Sequence, residues 1–198
     1  MRKLVLQMQI SADGYVSSTR PFDWRLWDWG QNSLWDERLR QDFNLSILSK
    51  DAIILSRKMI EEGYLEHWSG AAEKHAADPL YAFARHIAVV EKVVLSDRIP
   101  ASRWERTVVR SGNLEAEVNA LKRQPGRGDM IVFGGTGFAS ALLVADLVDS
   151  LQLFVNPAIL GNGASIFAHC EPRRLKLDES RAYPCGMLVN SYNLSSPF

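Results

Sequence analysis

Residues 130–143 read Met130-Ile131-Val132-Phe133-Gly134-Gly135-Thr136-Gly137-Phe138-Ala139-Ser140-Ala141-Leu142-Leu143. The first four residues are apolar and predict a short buried strand, which stops at two glycines where a helix begins over 136–144. A turn of this kind presents backbone N–H groups beside the positive end of a helix, and that combination binds phosphate. The alternative is that the glycines only let the helix pack closely on its strand.

Two common nucleotide-binding motifs do not fit this turn. The dinucleotide fingerprint G-x-G-x-x-G needs a third glycine where the chain has Ser140, and it needs a further strand, helix and strand that the later sequence does not supply. A P-loop needs Gly-Lys-Ser or Gly-Lys-Thr at the helix start, and Thr136-Gly137-Phe138 contains no lysine. The turn therefore has to be interpreted together with the rest of the chain.

Strand and helix patterns alternate along most of the sequence. Apolar runs predict strands over 3–10, 51–55, 91–95, 107–109, 130–133 and 151–155, and helical spacing predicts helices over 35–49, from Ser56, near 79–86, over 114–123 and over 136–144. We predict a tight turn at 11–14 and loops over 20–35 and 63–78, and the end of the chain predicts two antiparallel strands over 174–178 and 188–194. This order indicates an α/β fold with a mostly parallel sheet and an antiparallel C-terminal edge.

Composition limits the class of protein. A length of 198 residues with 46% hydrophobic content predicts one domain spanning residues 1–198. The 23 basic residues balance the 23 acidic ones, so we expect no nucleic-acid partner and no attraction to an anionic membrane surface. No stretch approaches the roughly 20 apolar residues of a membrane helix.

Cysteine and histidine usage favours a cytoplasmic protein without a metal site. Gln7 and Gln9 interrupt the first apolar run, which is untypical of a signal peptide, and Cys170 and Cys185 provide no disulfide framework. The histidines lack the spacing of metal ligands: His67, His75, His86 and His169.

Several weak motifs together carry a family resemblance. They are Ser11-Ala12-Asp13-Gly14 after the first strand, the run 51–58, Lys92-Val93-Val94-Leu95-Ser96, Phe133-Gly134-Gly135-Thr136-Gly137, and the runs 147–151 and 157–167. In this order and spacing the chain resembles the dihydrofolate-reductase-like superfamily, in the branch similar to the C-terminal reductase domain of bifunctional riboflavin biosynthesis proteins. The resemblance covers almost the whole chain. It implies about eight strands with helices on both faces of the sheet, bound NADPH, hydride transfer and a homodimer.

The resemblance also implies a cofactor site. Selection of NADPH through its 2′-phosphate needs a cation with hydroxyl or amide donors. The resemblance assigns this part of the cofactor to residues at two strand ends: Ser56, Arg57, Lys58, Leu95, Ser96 and Arg98. The pyrophosphate falls to the glycine turn, Phe133, Gly134, Gly135, Thr136, Gly137 and Phe138, and the nicotinamide to Gln9, Ala12, Val16 and Ser17. The alternative is that Arg57, Lys58 and Arg98 are ordinary solvated charges.

The substrate side has fewer candidates. A hydride acceptor usually needs a proton donor nearby, and the start of the first long helix offers Asp36 and Glu37 as catalytic acids, with Asp42 further along. Trp27 and Trp29 could stack a planar ring or serve as core or interface anchors. The resemblance adds Phe154, Gly161 and Gly163 as substrate contacts, while Asp13 is expected to complete a turn and to transfer no proton.

Together these assignments predict an NADPH-dependent reductase that passes hydride to a small heterocyclic or ribosylaminopyrimidine-like molecule. Dihydrofolate reduction is a second reading. A third is a non-catalytic NADPH-binding oligomer, because Ser56-Arg57-Lys58-Met59 replaces the usual Gly-Arg-x-Thr/Ser and no clear catalytic carboxylate is present.

Overall fold

The computed structural model describes residues 1–19, 26, 34–99, 101–125 and 128–194. The strands are β1 Leu4–Ser11, β2 Ser17–Ser18, β3 Ala52–Ser56, β4 Glu91–Leu95, β5 Thr107–Arg110, β6 Met130–Val132, β7 Ser150–Asn156, β8 Gly163–Ala164, β9 Leu175–Ala182 and β10 Leu188–Leu194. The helices are α1 Glu37–Leu48, α2 Arg57–Glu61, α3 Tyr64–Lys74, α4 Ala82–Val89, α5 Leu114–Lys122 and α6 Thr136–Val144, with a 3₁₀ turn at Pro79–Tyr81. No helix among the described residues is long and apolar enough to cross a membrane.

Eight strands form one sheet in the order β5-β4-β3-β6-β1-β7-β10-β9. Strands β5, β4, β3 and β6 pair in parallel, as do β1 and β7, whereas β10 is antiparallel to both β7 and β9. The predicted α/β fold with an antiparallel C-terminal edge is therefore confirmed. Strands β2 and β8 form a separate two-residue antiparallel pair that the sequence did not indicate.

The chain divides into two compact units. The first comprises Met1–Leu4 and Glu37–Gly135, and the second Val5–Asp36 and Thr136–Phe198.

The core of the first unit surrounds strands β3 and β6. Ile53, Ile54 and Leu55 in β3, and Ile131 and Val132 in β6, are fully buried. An uninterrupted apolar strand of this kind is typical of a parallel sheet that is covered on both faces.

Helix α3 corrects one expectation, because residues 64–74 were predicted as part of a loop. The buried side chains of this helix are only Tyr64, Leu65 and Trp68, and the rest of its surface carries small and charged residues. A helix with so few apolar positions shows only weak hydrophobic periodicity in its sequence, which is why it was predicted as a loop. Gly63, with φ +84°, separates α3 from α2.

Arg2 and Lys92 are long cationic residues that are buried in the first unit. The Arg2 side chain is 1% exposed, and its guanidinium donates to the Gly128 carbonyl at 2.6 Å, to Asp51 Oδ1 at 2.6 Å and to Gln124 Oε1 at 3.3 Å. The Lys92 ammonium donates to three carbonyls at the end of α4, those of Ile87, Ala88 and Val90. Burial lowers the pKa of Lys92 to about 8. Both side chains therefore donate to backbone carbonyls, and those bound by Lys92 lie at a helix end, where carbonyls have no partner within the helix.

The second unit is built on β7, which pairs with β1 on one side and β10 on the other. Leu6, Met8, Leu151 and Phe154 are buried in it. The last two strands are present as predicted, and β9 extends further than expected, to Ala182.

Candidate functional site

Three neighbouring strands of the first unit end at one edge of the sheet. Strands β4, β3 and β6 are adjacent and parallel, so their carboxyl ends lie side by side, and Ser56 stands opposite Leu95 in the register. In open α/β sheets ligands bind outside the carboxyl ends of the strands. The structure thus brings together the predicted residues of the first unit: Ser56, Arg57, Lys58, Leu95, Ser96, Arg98, Phe133, Gly134 and Gly135.

The glycine turn adopts a backbone that other residues rarely take. Gly134 has φ +146° and Gly135 has φ +74°, and helix α6 begins at the next residue, Thr136. Two successive positive φ values explain why glycines follow β6. The predicted strand, turn and helix are all present.

Gly137 has no such explanation. It lies in the first turn of α6, is exposed, and a Cβ placed on it would meet no atom within 4 Å other than those of its chain neighbours and of the backbone of its own helix. A glycine inside a helix lowers the stability of the helix by about 1 kcal/mol relative to alanine. Close packing does not explain why Gly137 is nevertheless a glycine. Open space at the start of α6 is what a ligand that approaches the backbone closely requires.

Ser56 has a structural role in this turn. It is the N-cap of α2, its hydroxyl accepts from the Met59 N–H at 3.3 Å, and only 6% of the residue is exposed. Met59 is itself buried. The departures from the family pattern at these two positions thus serve capping and packing.

The cations at this edge are partnered or exposed. Arg57 Nη1 donates to both carboxylate oxygens of Glu61, at 2.5 and 2.6 Å, and Lys58 Nζ lies 3.6 Å from Glu62 Oε1. Arg98 is exposed.

Ser96 closes the turn that follows β4. Its hydroxyl accepts from the N–H groups of Arg98, at 3.1 Å, and Ile99, at 3.3 Å.

In the second unit, residues after β1 are joined to the loop after β7. The carboxylate of Asp13 accepts from the N–H groups of Leu160, at 3.1 Å, and Gly161, at 2.7 Å. The hydrogen bond from Ser11, followed by those from the backbone, holds the pKa of Asp13 below its ordinary value. Asp13 is thus built to stay ionised and to hold the turn, in keeping with the structural role expected of it.

Gly163 is required by the same connection. A Cβ on Gly163 would lie 1.9 Å from the Ser17 carbonyl oxygen, where β8 pairs with β2. Its φ of +156° adds to that requirement. The substrate contact of Gly163 stays a prediction, and close approach of two backbones already requires a glycine there.

The predicted nicotinamide residues lie beside this connection. Ala12 donates its N–H to Ala158, and Val16 donates to Ala164, each at 2.8 Å. Ser17 pairs with Ala164, and Gln9 Oε1 accepts from Asn156 at 3.5 Å. The structure therefore gathers Gln9, Ala12, Val16 and Ser17 around the end of β1.

The substrate candidates have mixed placements. Phe154 is 2% exposed, and the Trp35 ring stacks on it with centroids 5.1 Å apart. Asp36 Oδ2 accepts from the Cys185 N–H at 3.0 Å, and the exposed Glu37 accepts from Gln41 at 2.9 Å. Trp27 and Trp29 lie outside the described residues. Sequence reasoning missed Trp35, whose only signal was its place beside the other tryptophans.

Within the part of the chain that the structure describes, no three histidine, cysteine or acidic side chains are grouped so that they could hold a metal ion.

Comparison with known proteins identifies the family. Residues 2–189 match the RibD C-terminal domain. The chain belongs to the RibD C-terminal domain family. The resemblance inferred from the motifs is thereby confirmed.

Relatives of this RibD C-terminal domain match over its whole length at low identity. The uncharacterized protein YyaP of Bacillus subtilis is 23% identical over 194 residues, which are 97% of this chain and 95% of that protein. The structure of a putative riboflavin biosynthesis protein from Shewanella sp. PV-4 has a TM-score of 0.62 at 16% identity, covering 98% of this chain and 99% of the other.

A longer protein of Thermotoga maritima shares the fold. It is a diaminohydroxyphosphoribosylaminopyrimidine deaminase/5-amino-6-(5-phosphoribosylamino)uracil reductase, and it matches with a TM-score of 0.66 at 12% identity. The match covers 98% of this RibD C-terminal domain but 57% of the Thermotoga chain. At such identities the likeness establishes the fold.

Proposed function

We propose that this chain is an NADPH-dependent reductase that passes hydride to a small heterocycle of the ribosylaminopyrimidine class. Membership of the RibD C-terminal domain family supports reduction as the reaction, and the name of the Thermotoga protein suggests the substrate class. The observation that carries the cofactor assignment is the open Gly137, which follows two glycines with positive φ.

Two groups of described residues fit a phosphorylated cofactor. Backbone N–H groups at the start of α6 suit a pyrophosphate, and Arg57 and Arg98 supply positive charge beside the neighbouring strand ends. When bound, NADPH would supply the hydride.

The wall for the nicotinamide and the donor of the proton fall to other described residues. Gln9, Ala12, Val16 and Ser17 lie together after β1, and Asp36 is the carboxylate nearest in sequence to the stacked Trp35. Asp36 and Glu37 stay candidate proton donors for the atom beside the carbon that receives hydride.

Cofactor titration tests the proposal. We expect NADPH to quench tryptophan fluorescence at lower concentration than NADH, and Arg57→Ala to weaken NADPH binding by about tenfold or more, because a charge-assisted hydrogen bond to phosphate is lost. NADPH should then be consumed when 5-amino-6-(5-phosphoribosylamino)uracil is added.

Arg103→Ala is the matched control, since Arg103 is exposed, pairs with Glu66 at 2.7 Å and precedes the amino end of β5. Its affinity for NADPH should equal that of the unmodified protein. Equal affinities for NADPH and NADH, unchanged by Arg57→Ala, would refute the cofactor assignment.

We further propose that two copies associate through β9. This strand ends the sheet, is exposed along nearly its whole length, and carries Leu175 and Leu177 with 37% and 54% of their surfaces exposed. A long exposed edge strand is a template for pairing with another chain.

Light scattering during size exclusion tests this association. The unmodified protein should have the mass of a dimer, and Leu177→Lys should shift it to a monomer, because a buried lysine opposes association. Val108→Lys on β5, the other edge strand, is the control, since Val108 is 50% exposed. A monomeric mass for the unmodified protein, or an equal effect of both substitutions, would count against association through β9.

A further inference from the structure

The ion pair between Arg57 and Glu61 stands at the edge assigned to the cofactor. Arg57 Nη1 contacts both carboxylate oxygens of Glu61, so this cation already has an anionic partner. The two side chains are 37% and 50% exposed, which leaves both within reach of a dissolved ligand.

The order of charges along α2 is not explained by the stability of the helix. Arg57 and Lys58 begin it, and Glu61 and Glu62 stand at its end. Helices are stabilised by the reverse order, with acids in the first turn and bases in the last, and a cation placed four residues before an acid is the weaker orientation of such a pair. The arrangement does place the cations beside the carboxyl ends of β3 and β4.

We propose that Glu61 is a specificity-determining residue that competes with the 2′-phosphate for Arg57 and so lowers the preference for NADPH over NADH. This rests on the proposed function. A phosphate that displaces Glu61 must break the existing ion pair, and one that binds another nitrogen of Arg57 lies close to the carboxylate charge. Both routes weaken NADPH binding, while NADH, which lacks that phosphate, is unaffected.

Glu61→Gln tests the competition because it removes the charge and keeps the size of the side chain. Fluorescence titration should show NADPH binding about three- to tenfold tighter, with the affinity for NADH unchanged. Glu62→Gln is the matched control: it removes the same charge from the next residue, whose contact with Lys58 is longer, at 3.6 Å. We expect less than about a twofold change there.

A double-mutant cycle separates a direct effect from one that acts through Arg57. In an Arg57→Ala background, Glu61→Gln should leave NADPH affinity unchanged, because the cation they compete for is absent. Circular dichroism melting checks that the variants fold alike.

The outcomes distinguish this inference from the proposed function. Weaker NADPH binding in Glu61→Gln would show that the carboxylate orients Arg57 instead of competing for it, and an equal gain in Glu62→Gln would reduce the effect to net charge. Either result overturns the inference while NADPH selectivity through Arg57 stands. If Arg57→Ala does not alter the preference between the two cofactors, the proposed function fails first.

Discussion

Replacing Arg2 with alanine is expected to destabilise the protein by about 3 kcal/mol. The side chain is 1% exposed and makes hydrogen bonds at 2.6 Å to both Gly128 and Asp51. Its loss leaves the Gly128 carbonyl without this donor and opens a cavity at the start of β1. This loss of stability is at the low end for a broken buried ion pair because the Asp51 side chain is 40% exposed and water can solvate its charge.

Urea unfolding followed by tryptophan fluorescence measures this loss. Lys3→Ala is the neighbouring control, because the Lys3 side chain is exposed and should change stability by less than about 0.5 kcal/mol. Arg2→Met, which fills much of the same volume, should fall between the two. A loss below about 1 kcal/mol for Arg2→Ala would mean that the desolvation of the guanidinium offsets its contacts.

Arg2 also shows which structural features could not be predicted from the sequence, namely contacts between residues that are distant along the chain. Strands and helices were predictable because apolar runs and helical spacing are local signals. Strands β3 and β6 and helix α6 lie where those signals predicted them. The hydrogen-bond partners of Arg2, Asp51 and Gly128, lie 49 and 126 residues away along the chain, so no local sequence pattern indicates them. The strand predicted over 91–95 likewise contains no signal that the Lys92 side chain is buried, yet the residue is only 2% exposed.

The candidate site divides in the same way. The glycine turn was found because its strand, glycines and helix are consecutive. Asp36 was chosen for its residue type, but its contact with the Cys185 N–H, 149 residues away, was invisible to the sequence. The ion pair of Arg57 with Glu61 is local, at a spacing of four residues, and could have been inferred from the chain.

Gly137→Ala is expected to weaken the binding of NADPH and of NADH together, by about ten- to a hundredfold. A methyl group on this exposed residue would occupy the space through which a pyrophosphate approaches the N–H groups of α6. Both cofactors contain that pyrophosphate, so the preference between them should not change. This separates Gly137 from Arg57 and Glu61, whose substitutions alter NADPH binding alone.

The same substitution should make the protein more stable. Beyond its chain neighbours and the backbone of its own helix, nothing lies within 4 Å of a Cβ on Gly137, and alanine is favoured over glycine in a helix by up to about 1 kcal/mol. Thermal unfolding should therefore shift upward by about 2–4 °C.

Gly70→Ala is the matched control for both measurements. Gly70 lies in helix α3, is exposed, and also has no atom within 4 Å of an added Cβ. Its substitution should raise stability to a similar extent and leave the affinity for both cofactors unchanged.

Gly137→Ala is expected to weaken cofactor binding while it raises stability, and this combination distinguishes a ligand contact from a structural role of the glycine. A glycine kept for packing or for a strained backbone loses stability when it becomes alanine, and any loss of binding then follows from damage to the fold. A stabilised Gly137→Ala that binds NADPH poorly leaves only the ligand as the reason for glycine. A stabilised variant that still binds NADPH tightly would place the pyrophosphate elsewhere, and the assignment of α6 to the cofactor would have to be abandoned.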